Sequence, residues 1–252
     1  MSGHSKWSTI KRKKGAADAK RGQLFTRLAR EITIAAREGG GDIDANFKLR
    51  LAVDRARRES MPKDNIDRAI KRGTGENKGG ENIERIVYEG YASNGVAVMI
   101  DCLTENRNRT IAELRHVLTR YGGDLAEVGS VAWQFKRVCY FSIPLAKNVD
   151  FDKVFEVAVE NGADDITNDG EMIEIYGPVE AFKELNEALK KAGFEPEEAD
   201  LHYVPKQEIS LDTEKTIKVM NTIEELEELD DVQSVYSNLE ITDEALASLE
   251  EM

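Results

Sequence analysis

The chain has few of the residues that most often carry catalysis or covalent cross-links. Its 252 residues include two cysteines, Cys102 and Cys139, and three histidines, His4, His116 and His202. The cysteines stand far apart in apolar contexts without a CxxC pair, which argues against a disulfide scaffold and predicts two reduced, buried thiols. The histidines occur in no HExxH, HxH or cysteine–histidine spacing, so no zinc motif is present.

Templates for hydrolase, kinase and nucleotide-binding chemistry are also missing. No GxSxG elbow, Walker loop or kinase signature occurs, and the glycine-rich stretch 73–80 follows a predicted helix, where a phosphate loop would follow a strand. The acidic pairs Asp164-Asp165 and Asp169-Glu171 have Mg²⁺-ligand chemistry, but aspartate at such positions more often forms turns. We expect no enzyme: no catalytic residue, no metal, no cofactor and no small-molecule substrate.

Long apolar runs are absent as well. None approaches the roughly 18 residues of a membrane span, and the first thirty residues lack the apolar core of a secretory signal. We therefore expect a cytoplasmic protein with no membrane partner.

Charge is unevenly distributed along the chain. The net charge is −13, yet residues 1–80 hold 20 Lys and Arg against 10 Asp and Glu, while the remainder holds 15 against 38. A basic segment in an acidic protein is the usual electrostatic signature of contact with nucleic acid, whereas a merely solvated cationic helix surface is the alternative.

The basic segment has helical periodicity. Apolar residues recur every three or four positions from about residue 16 to 38, a second helix is predicted over 46–59, and a third over 61–73 with Pro62 in its first turn. Lys20, Arg27 and Arg30 project from the polar side of the first helix. These patterns predict a three-helix domain with a cationic surface.

The rest of the chain predicts two α/β domains. Runs 83–91 and 95–103 form a hairpin, a helix follows, and SVAWQF at 130–135 alternates as a strand. Residues 138–205 have the order β-α-β-β-α-β, which is ferredoxin-like. A strand at QEISL, a helix beginning after Asp212 and a strand at 231–239 complete the earlier sheet. The acidic end, DEALASLEEM, predicts a frayed helix or a tail.

The fold class is therefore α+β multidomain, with a three-helix domain and two α/β domains, the last ferredoxin-like and inserted in the middle one. We predict five segments: a flexible basic tail, 1–15; a helical basic domain, 16–78; a discontinuous middle domain, 79–136 and 206–240; an inserted acidic domain, 137–205; and an acidic tail, 241–252.

Two groups of cations are candidate nucleic-acid contacts. In the tail, HSKWSTIKRKK combines lysine and arginine with a tryptophan suited to stacking on a base: Lys6, Trp7, Lys11, Arg12, Lys13 and Lys14. At a helix start, ENRNRT places Arg107 and Arg109 where the helix dipole favours anions. They contact RNA or phosphate, or they pair with Asp101, Glu105 or Glu113; both alternatives remain open.

Several motifs resemble a known family. SGHSKWSTIKRKKGAADAKRGQLFTRLAREI, MPKDNIDRAIKRGTGE, YEGYASNGVAVMIDCLTENRNRT and GGDLAEVGSVAWQF resemble the YebC/PmpR family, which includes the mitochondrial translational activator of cytochrome oxidase subunit one. The resemblance covers nearly the whole chain. It implies a helical amino-terminal domain and two α/β domains, the last inserted in the middle one. Cys102 departs from the small or β-branched residue expected at its position.

The resemblance also implies function. Bacterial members are described as cytoplasmic DNA-binding transcriptional regulators, and related members act in translation at the ribosome, easing synthesis through proline runs. The expected nucleic-acid contact is the basic amino-terminal domain, which carries over to Lys6, Trp7, Lys11, Lys13, Lys14, Lys20, Arg21 and Arg27. The expected partner is DNA or ribosomal RNA, with the ribosome as a further candidate. The alternative is a protein-interaction adaptor that uses the acidic α/β domains.

Overall fold

The structure is a computed structural model that describes residues 17–76, 83–145 and 149–250. In those residues the chain forms eight α-helices and two four-stranded antiparallel sheets, an α+β multidomain fold as predicted. It divides into two compact units, of which one consists of residues 133–207 and the other contains the described residues on either side. The predicted basic tail, 1–15, lies outside the described residues.

Three helices form the amino-terminal domain. They are α1 (Ala17–Gly39), α2 (Phe47–Arg58) and α3 (Lys63–Gly73), and their apolar faces meet in a core that includes Leu28, Ile32, Leu49, Val53 and Ile66. Asn46 begins α2 by accepting the N–H of Leu49 at 3.1 Å and ties it to α1 by donating to the carbonyl of Ala35 at 2.7 Å. A Cβ on Gly73 would stand 2.3 Å from the carbonyl oxygen of Thr33, so glycine permits the close approach of α3 to α1.

The middle domain combines residues before and after the insertion. Strands β1 (Glu84–Tyr91) and β2 (Ala97–Thr104) form the predicted antiparallel hairpin, joined by a turn in which Asn94 has a φ of 62°. Helix α4 (Arg107–Arg120) and the short strand β3 (Asp124–Leu125) follow. After the insertion come helix α7 (Thr213–Glu227) and strand β8 (Val232–Ser237), and β8 pairs with β2 to give the order β3-β1-β2-β8.

The inserted domain has the predicted ferredoxin-like topology. Its elements are β4 (Phe135–Pro144), α5 (Phe151–Glu160), β5 (Asp165–Asn168), β6 (Met172–Gly177), α6 (Phe182–Lys191) and β7 (Glu198–Pro205). The strand order β5-β6-β4-β7 places the first and third strands in the centre. Phe141, Ile175, Leu185 and Leu189 are fully buried between the sheet and the two helices.

Two predicted strands are wrong. Residues Ala132–Gln134 of SVAWQF form a 3₁₀ turn, and the strand begins at Phe135. The reason is tertiary, because the buried carboxylate of Glu89 accepts the N–H groups of Val131 and Ala132 that a strand would offer to a ladder. QEISL forms only an isolated parallel bridge between Ile209 and Leu239.

The carboxyl-terminal segment forms a packed helix, whereas its sequence predicts a frayed helix or a tail. Helix α8 (Asp243–Glu250) buries Ala245 and Leu246, and Leu246 joins the core of the middle domain. The acidic composition of the segment does not indicate this packing, because only a few apolar residues of the helix contact the core. The exact domain boundaries stay a prediction.

Candidate nucleic-acid interface

The predicted contacts of the tail precede the described part of the chain. Lys6, Trp7 and the cationic run Lys11, Arg12, Lys13 and Lys14 lie outside the described residues. Lys20 and Arg21 fall in the first turns of α1, where Arg21 is exposed with its guanidinium carbon 5.5 Å from the centroid of the Phe25 ring. A cation over an aromatic face keeps its donors available to a solvent-side anion.

Two further predicted contacts, Arg27 and Arg30, bind the middle domain. The guanidinium of Arg27 donates to the carbonyl of Glu227, the last residue of α7. Arg30 donates to the carbonyl of Asp230 at 2.6 Å and forms an ion pair with the Asp231 carboxylate at 2.9 Å. Cations are stabilised at a helix carboxyl terminus because carbonyl groups there lack intrahelical partners. Whether nucleic acid also uses these arginines stays a prediction.

Asp231 is the centre of this contact. Its side chain is 1% exposed, and besides Arg30 it binds Arg109 Nη2 at 2.7 Å from one carboxylate oxygen. The other oxygen accepts from Thr110 at 2.7 Å and Thr104 at 3.1 Å. Burial alone would raise the pKa of this carboxyl, but hydrogen bonds from Arg109 and Thr110 and the charge of Arg30 hold it below its ordinary value.

The arginines of ENRNRT have acidic partners in the structure. Arg107 forms an ion pair with Glu84, and Arg109 binds Asp231 and lies 4.0 Å from Glu113. Asn106 begins α4 and accepts the N–H of Arg109 at 3.2 Å. Glu113 is one of the acidic partners predicted for these arginines from the sequence. Glu84 and Asp231 are not, because they are distant in the chain. A phosphate contact by either arginine remains a prediction.

The structure shows further exposed cations that are not among the nucleic-acid contacts predicted from the sequence. Arg57 and Arg58 end α2, and Lys63 begins α3 on the far side of a turn in which Ser60 has a φ of 59°. All three side chains are exposed, with Arg57 3.6 Å from Asp54. In the sequence, these cations belong to the run RRESMPK, which lies between two segments of helical periodicity and could have indicated them. These cations enlarge the basic surface of the helical domain.

The groups considered for chemistry have structural roles. Asp169 accepts the N–H groups of Glu171 and Met172 at 2.9 and 2.8 Å, which is a turn contact. His202 stacks on Tyr140 with ring centroids 4.2 Å apart, and its Nε2 lies 3.2 Å from Glu198. Within residues 17–76, 83–145 and 149–250, no cluster of three or more His, Cys, Asp or Glu has the arrangement of a metal site.

Both cysteines are free and buried, as predicted. Burial raises the pKa of the Cys102 thiol well above its ordinary value and that of Cys139 to about 11. A nucleophilic cysteine needs a lowered pKa and access to solvent, and these two have neither. Among the described helices, none has the length and apolar composition that crossing a membrane requires.

The fold and the cationic surface define a class: a multidomain α+β protein with a basic helical domain joined to acidic α/β domains. The description "TACO1/YebC protein N-terminal domain" matches residues 5–76, and "TACO1/YebC second and third domain" matches residues 83–239. The chain belongs to the TACO1/YebC family.

Similar proteins span the whole chain. A probable transcriptional regulatory protein of Geobacter sulfurreducens is 49% identical, with 99% of this chain and 100% of that protein covered. One from Bifidobacterium longum is 51% identical over 100% of both. The crystal structure of a conserved hypothetical protein from Aquifex aeolicus matches with a TM-score of 0.84 at 44% identity, covering 91% of this chain and 94% of that one.

Proposed function

We propose that this chain is a non-enzymatic, nucleic-acid-binding regulator of gene expression that acts in the cytoplasm. The observation that carries the proposal is the segregation of charge: a net charge of +10 on residues 1–80 in a chain whose total is −13. The names of the relatives, probable transcriptional regulatory proteins, support regulation at the level of the family.

The contact is with the phosphate backbone. Exposed cations on the helical domain include Arg21, Arg58 and Lys63, and the tail contributes the KRKK run at 11–14. Salt screens exposed charges beyond about 10 Å at 0.1 M, so acidic residues farther away than that do not cancel a local cationic surface. Lysine and arginine on such a surface gain affinity by releasing condensed counterions.

A salt titration tests the proposal. For binding through about six phosphates, the logarithm of affinity should fall with the logarithm of salt concentration with a slope near −5 on duplex DNA and about −4 on a single strand. Replacing Lys11, Arg12, Lys13 and Lys14 with alanine should weaken binding to all sequences about equally, because phosphate contacts carry no base information. A flat salt dependence would contradict the proposal.

The matched control removes the same amount of charge elsewhere. Four exposed lysines on the helices of the inserted domain are replaced with alanine, which leaves the helical domain untouched: Lys153, Lys183, Lys190 and Lys191. This variant should retain the slope of the wild type. An equal loss in both variants would mean that only the total charge matters.

The polymer is DNA or ribosomal RNA. A lysine-rich segment with a tryptophan suits structured RNA, and base stacking needs unpaired bases that a duplex does not offer. We favour action at the ribosome, easing synthesis through difficult sequences, beside the customary description of the family as DNA-binding. Crosslinking in cells, followed by sequencing of the attached nucleic acid, separates these roles, since ribosomal RNA or promoter DNA should dominate the product.

An adaptor role is the second candidate. A groove of about 900 Å³ lies along α5, α6 and the turn before α6. Four carboxylates line it together with two lysines, so its net charge is negative and would suit a basic protein segment: Glu160, Glu180, Glu184 and Glu187, with Lys183 and Lys191. Phe155 and Val159 are exposed on α5. Pull-down after nuclease treatment tests this role, because a partner retained without nucleic acid would favour it over the first proposal.

A further inference from the structure

One face of α1 is docked onto the acidic end of α7. Gln23, Arg27 and Arg30 follow one another at spacings of four and three residues, so they share a face of the helix. Gln23 donates to the carbonyl of Glu228 at 3.4 Å, and the two arginines bind the carbonyls of Glu227 and Asp230. The acceptors lie where α7 ends, the negative pole of its dipole, in the acidic run 224–231.

The chemistry of this contact is the chemistry of a phosphate contact. Carbonyl and carboxylate oxygens receive guanidinium donors in the same way as the oxygens of a nucleic-acid backbone. The acidic turn, defined here as residues 227–231, therefore offers α1 the same kind of hydrogen-bond acceptors as a nucleic-acid backbone does. Arg27 and Arg30, two of the predicted nucleic-acid contacts, cannot donate to both at once through the same N–H groups.

Arg27 is incompletely satisfied in the docked state. Its Nε is buried without a hydrogen-bond acceptor, and its Nη2 donates to a neutral carbonyl, that of Glu227. Burial lowers the pKa of Arg27, and the nearby charges of Glu227 and Asp230 only partly offset that effect. A buried charged donor without a partner is costly, so a phosphate that satisfied it would gain affinity relative to the docked contact.

In the described residues, the buried core of the helical domain is separate from the core that packs around α4 and α7, and α1 also meets the middle domain where Arg37 donates to the carbonyl of Ile83 at 2.9 Å. The buried cluster of the helical domain contains Leu28, Ile32 and Leu49, whereas that of the middle domain contains Ile100 and Leu114, and no residue belongs to both. Separating the two domains would leave each of these clusters intact. The contacts at the acidic turn are ionic and polar, and such contacts weaken as salt rises.

We propose that the acidic turn is an intramolecular competitor of nucleic acid for Arg27 and Arg30, so that nucleic-acid binding releases α1 from the end of α7. This inference rests on the proposed function and deepens it by adding regulation of the same surface. A tethered competitor acts at high effective concentration, and the apparent affinity for nucleic acid falls in proportion to the undocked fraction.

Neutralising Asp231 tests the competition. Asp231→Asn removes the ion pair with Arg30 and should lower the dissociation constant for nucleic acid about fivefold to tenfold by raising the undocked fraction. The matched control is Asp101→Asn, because Asp101 is also buried and paired with an arginine, Arg85, but within the β1–β2 hairpin. The control adds the same charge and should bind as the wild type does.

Two further double variants test whether the loss of docking is what tightens nucleic-acid binding. Because Asp231 also binds Arg109, Asp231→Asn is repeated together with Arg109→Gln; the tighter binding should persist, which excludes a newly freed Arg109 as its source. Glu227→Gln with Asp230→Asn leaves the backbone carbonyls in place but removes two negative charges that attract Arg27. It also leaves Asp231 and its buried partners unchanged, so the fold is retained even if Asp231→Asn destabilises the middle domain. This pair should also bind more tightly than the wild type.

Amide hydrogen exchange supplies a readout of release. On addition of a duplex or single strand that the wild type binds, amides at residues 224–231 should exchange faster while those of α1 exchange more slowly. No binding by the wild type would contradict the proposed function. Binding by the wild type, with no gain in either neutralised variant and no faster exchange at 224–231, would overturn the competition alone.

Discussion

Glu89 on β1 accepts the backbone N–H of Val131 at 2.6 Å, although the two residues are 42 positions apart. The same carboxylate accepts from Ala132 at 2.9 Å and from Gly129 at 2.7 Å, and the residue is 5% exposed. One buried carboxylate therefore holds the second half of the loop that follows β3, together with the burial of Val131 and a hydrogen bond from Tyr91 to the carbonyl of Ser130 at 3.2 Å. Val128, at the tip of this loop, is 93% exposed and contributes no packing that could hold the loop by itself.

Replacing Glu89 should destabilise the middle domain. Glu89→Gln leaves three N–H groups facing a single neutral oxygen, and we expect the free energy of unfolding to fall by about 1–3 kcal/mol. Urea unfolding followed by circular dichroism measures this. Val128→Ser is the control and should change the value by less than about 0.5 kcal/mol, as exposed substitutions usually do. Equal effects in the two variants would contradict the role of Glu89.

The same carboxylate predicts an acid dependence of stability. Burial alone would raise the pKa of Glu89, but the three backbone hydrogen bonds hold it below its ordinary value of 4.5. The native state therefore favours the ionised form, so its contribution is complete above pH 4.5 and is lost as pH falls through the lowered native pKa. Glu89→Gln should show a shallower loss of stability than the wild type over that acidic range.

Arg107 and Arg109 should differ in their effect on folding. Arg109 binds the buried Asp231, so Arg109→Ala should destabilise the fold; since its side chain is 45% exposed, solvent screening limits the loss to about 1 kcal/mol. Arg107 pairs with Glu84 at the surface, and Arg107→Ala should unfold at the same urea concentration as the wild type. Equal destabilisation by both variants would contradict this assignment.

The same two variants separate pairing from phosphate binding. An arginine that contacts one phosphate should reduce the salt slope by about 0.9 on a duplex when it is replaced. If Arg107→Ala folds normally and retains the wild-type slope, its ion pair with Glu84 is its sole role. A smaller slope would assign Arg107 to the nucleic-acid interface.

Local patterns in the sequence predict the elements and their order well. Ile32 and Leu28 recur at helical spacing, and both are buried in the helical domain. The β-α-β-β-α-β order of the inserted domain predicts its strand order, because the connections of this topology restrict which strands can be neighbours. Helix starts are also predictable where a side chain caps the backbone, as Asp212 does for α7.

Partners distant in the chain could not be predicted from local patterns. The strand expected at 130–135 failed because Glu89, on another element, accepts its N–H groups. Arg30 and Arg109 carry the pattern of solvent-facing cations, yet both bind Asp231 near the other end of the sequence. Charge periodicity reports which face of a helix is polar, whereas the tertiary fold determines whether that face meets water or a carboxylate.

The two thiols should be unreactive in the native protein. Both cysteines are buried, and the pKa of Cys139 is raised to about 11, so the thiolate that reacts with a disulfide reagent is scarce at pH 8. We expect no fast phase in a thiol titration of the folded chain and complete reaction of both cysteines in denaturant. Reaction of one thiol without denaturant would show that its surroundings open locally.

Trp7 should distinguish unpaired bases from duplex. The chain has two tryptophans, Trp7 and Trp133, so Trp133→Phe leaves Trp7 as the sole indole reporter. Single-stranded RNA should quench its fluorescence. Trp7→Ala should weaken binding to that strand by about 1–3 kcal/mol, the usual worth of stacking one base on an aromatic ring. A duplex keeps its bases stacked within the helix, so its affinity should be unchanged.

The control for Trp7 retains an aromatic ring. Trp7→Phe should recover part of the affinity that Trp7→Ala loses on single-stranded RNA, because phenylalanine also offers a π face. The salt slopes of all three proteins should agree, since stacking releases no counterions while the lysines of the tail are unchanged. An equal loss on duplex and single strand, or a change of slope, would contradict stacking and leave the tail as a contact for phosphates alone.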